Sequence, residues 1–177
     1  MGNKKKGFTL VEILVVVSIF SIMVGSILNV VFSWNRSWNI SEVQMDVQFQ
    51  ARRAISEMTK ELSQTSQSTI SIIAAANDQI TFQLPNEDYN DEGEFSWGDQ
   101  IRYSVILGPT GINQLWRTNL TTAQAEILAS YVAVVDGVKF TLASNIISML
   151  LTVNKTPRGE VTPVTIQLDS RVSLRNL

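Results

Sequence analysis

Hydrophobic and polar positions fall into three regimes along the chain. From Ile13 to Phe32, twenty residues carry no charge, and Ser18, Ser21, Gly25, Ser26 and Asn29 are the only breaks in an Ile/Val/Leu/Phe/Met background. A helix of that length rises about 30 Å, the thickness of a bilayer's hydrocarbon core. Residues 33–64 contain neither Pro nor Gly, and Ile40, Val43, Val47, Ala51, Ala54, Met58 and Leu62 step by three and four. That spacing marks one face of an α-helix. Arg52, Arg53, Glu57, Lys60 and Glu61 fall mainly on the opposite face. The first two regimes together predict one helix of about 55 residues, about 80 Å long. It is apolar all round over 8–32 and amphipathic over 33–64.

Beyond residue 69 the period shortens to two. Alternation such as Ile80, Phe82, Leu84 and Val164, Ile166, Leu168 predicts strands. The expected strands are Thr69–Ile73, Gln79–Leu84, Gln100–Leu107, Ile112–Arg117, Val132–Leu142, Ile146–Val153 and Thr162–Leu174. Asn77-Asp78 and Gly108-Pro109-Thr110-Gly111 read as hairpin turns, and Thr121–Ser130 as a short helix capped by Thr121 or Thr122. One long helix followed by antiparallel strands is an α+β chain, with residues 65–177 forming a β-rich head.

Charge gives the apolar run a direction. Lys4, Lys5 and Lys6 precede it, so the N-terminus stays cytoplasmic and the head goes to the other side. A buried core helix rarely follows a lysine cluster with twenty uncharged residues. An ordinary cleaved signal would end near Val24 or Ser26, but the apolar run continues to Phe32. Trp34 and Trp38, one turn apart just past the run, read either as an interfacial aromatic anchor or as packing on a partner. Glu12 is a carboxylate near the start of a membrane helix, a costly placement that marks a functional candidate. It needs a cationic partner, either the leader lysines or a new α-amino group created by cleavage after Gly7.

Residues Lys5-Lys6-Gly7-Phe8-Thr9-Leu10-Val11-Glu12-Ile13-Leu14-Val15-Val16 resemble the prepilin signature of type IV pilins and type II secretion pseudopilins. The resemblance implies that residues 1–7 are a leader, that a prepilin peptidase cuts after Gly7, and that Phe8 is then N-methylated. It also implies that Glu12 pairs with a terminal amine during subunit docking. Implied partners are other pilin or pseudopilin subunits, the peptidase, the membrane and an inner-membrane assembly platform. The implied location is the inner membrane, single-pass, with a periplasmic head, and a pilus or pseudopilus after assembly. Asn29 stands where major pilins often carry a helix-kinking proline, which points to a minor subunit. Val172–Leu177 and Trp97–Tyr103 resemble the J-like or W-like minor subunits. The rival reading is a single-pass anchored periplasmic binding or adhesion domain that never enters a filament.

Composition narrows the chemistry. The chain has no His and no Cys, which removes Ser-His-Asp and Cys-His nucleophiles, His or Cys zinc sites, iron–sulfur clusters and disulfides. No phosphate-binding glycine loop follows a strand, and an enzyme is not expected. Net charge is −2, and losing the three leader lysines takes it to −5, so direct nucleic-acid binding is not expected. The stretch Pro85–Asp99 holds six carboxylates in fifteen residues. Asp88, Asn90, Glu92 and Asp99 match positions 1, 3, 5 and 12 of a calcium loop, with Gly93 at position 6. Calcium is therefore the one candidate cofactor. The competing reading of this stretch is a solvated acidic hairpin loop.

Overall fold

The computed structural model describes residues 7–73, 78–89 and 95–175, with the backbone alone at 87–89 and 95. Among the described residues, the elements run in the order α1 (Leu10–Leu62), a 3-10 turn (Gln67–Thr69), then eight strands. These are β1 (Ser71–Ile72), β2 (Gln79–Tyr89), β3 (Phe95–Leu107), β4 (Asn113–Asn119), β5 (Gln124–Ser130), β6 (Val138–Ala143), β7 (Ile146–Lys155) and β8 (Val164–Ser173). The expected α+β architecture, a long N-terminal helix with an antiparallel β head, is what the chain adopts.

The chain divides into two compact units, one up to Ser41 and one from Glu42 onward. The first is the apolar part of α1, long and apolar enough to cross a membrane. Four polar side chains of the apolar run bond back inside the helix. Ser18, Ser21 and Ser26 hydroxyls donate to the carbonyls of Leu14, Val17 and Ile22 at 2.8, 2.8 and 2.9 Å. Asn29 Nδ2 donates to the Gly25 carbonyl at 3.1 Å. In hydrocarbon, where no water competes, such i−4 bonds remove the penalty of an unpaired polar group.

In the second unit, the helical stripe read from the sequence forms the core. Val47, Ala51, Ala54, Met58 and Leu62 are fully buried. They join inward-facing residues of both sheets in one cluster, including Phe82, Tyr103, Leu115, Phe140, Met149 and Leu151. The larger sheet has the order β1-β2-β3-β4-β5 and the smaller β6-β7-β8. Strands within both sheets pair antiparallel. Period-two burial is clearest on β7, where Ile147, Met149, Leu151 and Val153 all point inward.

Several expected elements differ. The helix expected at Thr121–Ser130 is instead a hairpin turn followed by β5, which pairs along β4 from Asn119↔Gln124 to Gln114↔Ser130. Thr121 and Thr122 do begin a capped turn, but Asn119 supplies the cap. Its Oδ1 accepts both backbone N–H groups, at 3.0 and 3.1 Å. Local helix propensity in Gln-Ala-Glu-Ile-Leu-Ala is weaker than the ladder and the burial of Leu128 and Ala129. The expected strand Thr69–Ile73 shrinks to Ser71–Ile72, because Thr69 belongs to the 3-10 turn.

The expected strand Val132–Leu142 is interrupted. Val132 bridges Val153 and Val138 pairs with Leu151, so residues 133–137 loop out opposite the single residue Thr152. Thr152 closes this loop at both ends: Ala133 N donates to its carbonyl at 2.9 Å, and its N–H donates to the Gly137 carbonyl at 2.7 Å. A Cβ at Gly137 would lie 2.1 Å from the Ala133 carbonyl oxygen, so only glycine closes the loop. The turn expected at Gly108–Gly111 is present, with Gly111 N donating to the Gly108 carbonyl at 3.0 Å. Asn77 of the other expected turn lies outside the described residues.

Met58→Ala is expected to lower unfolding free energy by about 2–5 kcal/mol, because the site is fully buried on a face closed by both sheets. Phe49→Ala, at 69% exposed on the same helix, should stay within about 0.5 kcal/mol. Denaturant unfolding of the full chain in detergent, followed by tryptophan fluorescence, checks both.

Candidate processing and assembly site

The residues of the candidate processing site sit where α1 begins. Thr9 caps the helix: its Oγ1 accepts the Glu12 N–H at 3.3 Å, and its carbonyl accepts the Ile13 N–H at 3.2 Å. Thr-x-x-Glu is the spacing of a capping box, a signal legible in the sequence but not used there. The cap places Glu12 in the first turn. There the unpaired N–H groups and the helix dipole favour a negative charge. One device thus ends the helix and makes an otherwise costly carboxylate tolerable.

Glu12 is exposed and lines a shallow notch with Phe8, Ile13, Val16 and Val17. It is the one ionisable side chain in that apolar lining. A cationic group entering the notch would meet a carboxylate with little else to bond. Among the described residues, no heavy atom lies within 4 Å of where a Gly7 Cβ would be, so none of them requires glycine there by contact. Trp34 and Trp38 pack edge to face, with ring centroids 6.3 Å apart, and both remain exposed.

Among the candidate calcium ligands, the side chains of Asp88, Asn90 and Glu92 lie outside the described residues. Asp99 belongs to β3, and its Oδ2 accepts a bond from Asn119 Nδ2 at 2.7 Å. The acidic stretch is largely hairpin, since β2 runs to Tyr89 and β3 resumes at Phe95.

Two polar clusters that the sequence did not reveal hold α1 to the sheets. Glu61 does not sit on the solvent face as expected. It turns inward, where its carboxylate accepts the Tyr103 hydroxyl and pairs with Arg117 through Nε at 2.9 Å and a second nitrogen at 2.7 Å. Burial, then the Glu61 carboxylate, push the Tyr103 phenol far above its usual range. The hydrogen bond to Glu61 raises Arg117 as well. At the other end of the buried face, Lys155 Nζ reaches Asp46 Oδ2 at 2.6 Å and lies 4.7 Å from the Tyr131 ring centroid. Gln50 donates to Asp46 at 2.9 Å and accepts the Ser130 N–H at 2.9 Å. Partners 42 to 109 residues apart carry no local sequence signal.

Residues 2–28 match the family described as the prokaryotic N-terminal methylation motif. No curated protein and no solved structure matches the chain. The motif, the long apolar helix and the β-sheet head together fit a type IV pilin-like protein.

The Asp46–Lys155 contact has a defined pH window. Hydrogen bonds from Lys155 and then Gln50 hold the Asp46 carboxyl below its ordinary value of 3.8. The bond to Asp46 raises Lys155 above 10.5. Asp46 therefore adds stability above its unfolded pKa and loses it as pH falls through the lower folded value. Lys155 adds stability below its unfolded pKa and loses it as pH rises through the higher folded value. Asp46→Asn should therefore lose less stability than the parent as pH falls from the ordinary carboxylate range through the lowered Asp46 value, as followed by thermal melts.

Proposed function

We propose that this chain is a minor pilin or pseudopilin, a structural subunit that primes or joins a type IV pilus or a type II secretion pseudopilus. In this reading a prepilin peptidase cuts after Gly7 and Phe8 becomes the methylated N-terminus. The apolar helix stores the subunit in the inner membrane with its head in the periplasm, and sibling subunits then take it up through the assembly platform. The role is structural, with no catalytic residue and no cofactor. The observation that carries the reading is the methylation motif seated on a capped helix start, with Glu12 in an apolar notch. The notch supports a docking role: an apolar lining penalises an unpaired carboxylate, so it selects the register in which an amine arrives. Asn29, at the place of the major-subunit proline, supports the minor assignment. Its side chain adds a second donor at the Gly25 carbonyl instead of removing one from the ladder.

Mass spectrometry of the N-terminal peptide from cells with an active prepilin peptidase should find N-methyl-Phe8. An intact leader in those cells would favour an anchored domain outside any filament. Glu12→Ala should insert as well as the parent, because it removes a charge from an apolar segment. Its co-purification with sibling subunits should fall about tenfold or more, since a pair in low dielectric is worth more than about 1.4 kcal/mol. Full recovery of siblings with Glu12→Ala would assign register to the heads.

A further inference from the structure

The polar side chains of the apolar run are not equally satisfied. A serine hydroxyl has one hydrogen, and Ser18, Ser21 and Ser26 each give it to a carbonyl one turn back. An asparagine amide has two hydrogens on Nδ2 and an acceptor at Oδ1. Asn29 uses one hydrogen, on the Gly25 carbonyl at 3.1 Å, and makes no second side-chain bond among the described residues. One N–H and the whole of Oδ1 stay open on an exposed residue. In hydrocarbon no water serves either group, and each costs free energy while unpaired.

The bond to Gly25 also fixes where the amide lies. The middle of Ile13–Phe32 falls between Ile22 and Met23. The Asn29 Cα is about 10 Å along the helix from that middle, and the amide reaches back one turn toward it. The side chain thus turns away from the nearer headgroups and into the apolar segment. Beside it the helix surface is open: among the described residues, and apart from the helix's own nearby backbone, no heavy atom lies within 4 Å of a Cβ placed at Gly25. Ser21, Gly25 and Asn29 are spaced by four, so the open amide shares one face with two small residues. Small residues let a second helix approach closely, within reach of that amide.

We propose that Asn29 joins two copies of this chain in the membrane, each amide giving its open N–H to the other's Oδ1 beside Gly25. This rests on reading Ile13–Phe32 as a bilayer span. A second copy is the occupant because the open groups complement themselves, one donor and one acceptor on the same amide. Lys4, Lys5 and Lys6 orient both copies alike, so the helices run parallel and bring Asn29 to the same depth in each. A two-fold pair then sets residue 29 against residue 29. Glu12 lies about 20 Å along the helix from Gly25. Helices that cross at a small residue by about 40° have separated by that point, so the two carboxylates do not meet. The equal-depth pair is a different contact from the docking of Glu12 on an amine at Phe8, which needs the two helices offset along their length.

The chain has no cysteine, so Thr122→Cys in the head gives one label per copy. Full-length donor-labelled and acceptor-labelled protein is mixed in phosphatidylcholine vesicles and diluted with lipid, and flotation reports the span independently. Energy transfer should exceed the level of random mixing and fall on dilution as pairs part. Asn29→Leu and Gly25→Ile should each weaken the pair about threefold or more, while Asn29→Gln, which keeps an amide, should stay within about twofold of the parent. A parent-like dilution curve for Asn29→Leu in protein that floats would overturn the amide pair and leave the span standing. Protein that does not float would overturn both. Transfer no higher than random mixing in the parent would mean that no second copy sits on this face, and would leave it to a sibling subunit or to lipid. Parent pairing with Asn29→Leu as strongly as with itself would show that the amide meets some other group, and would overturn the reciprocal contact.

Discussion

The head depends on one helix face. Val47, Ala51, Ala54, Met58 and Leu62 are fully buried, and two separate sheets share the core that they make. Neither sheet alone has a second apolar layer; the helix provides it for both. Ala51 and Ala54 lie near the middle of the face, with the larger Met58 and Leu62 toward the helix end, and all four are fully buried. Shifting this stripe by one helical position would turn the face away from the sheets.

The same helix works under a different constraint in its first half. Lipid offers no hydrogen-bond partner, so each polar side chain there must bond locally. Ser18, Ser21, Ser26 and Asn29 do so by reaching back one turn. Glu12 cannot be satisfied that way, because a carboxylate only accepts. It sits instead in the first turn, where the helix has unpaired donors. The placement of the one acid in this stretch follows from where a helix can accommodate one.

Much of this was legible in sequence because it is periodic or local. The helix, its buried stripe and most strand centres follow from periods of 3.6 and 2. The prepilin-like motif is a contiguous run. What escaped depends on distant partners. Glu61 looks like a solvent-face acid until Tyr103 and Arg117 arrive from β3 and β4. Residues 124–130 look helical until β4 offers a ladder. Val132–Leu142 looks continuous because both its parts do pair with β7, and only the close approach at Gly137 reveals five residues set aside between them.

The two polar clusters explain why a helix held by one apolar face does not roll on its sheets. Hydrophobic contact is non-directional, and a stripe of similar aliphatic residues tolerates small rotations. Hydrogen bonds do not. Asp46 and Gln50 engage β7 and β5 near one end of the buried face, while Glu61 engages β3 and β4 near the other. The clamps sit about four helical turns apart, so rotation or sliding would break both at once. Each uses a partly buried charge, where losing a partner is costly. Met45 and Phe49 stay outward on the clamped segment, at 65% and 69% exposed. A partner reaching them therefore meets a surface whose orientation relative to the sheets is already set, and binding need not supply the free energy to order it.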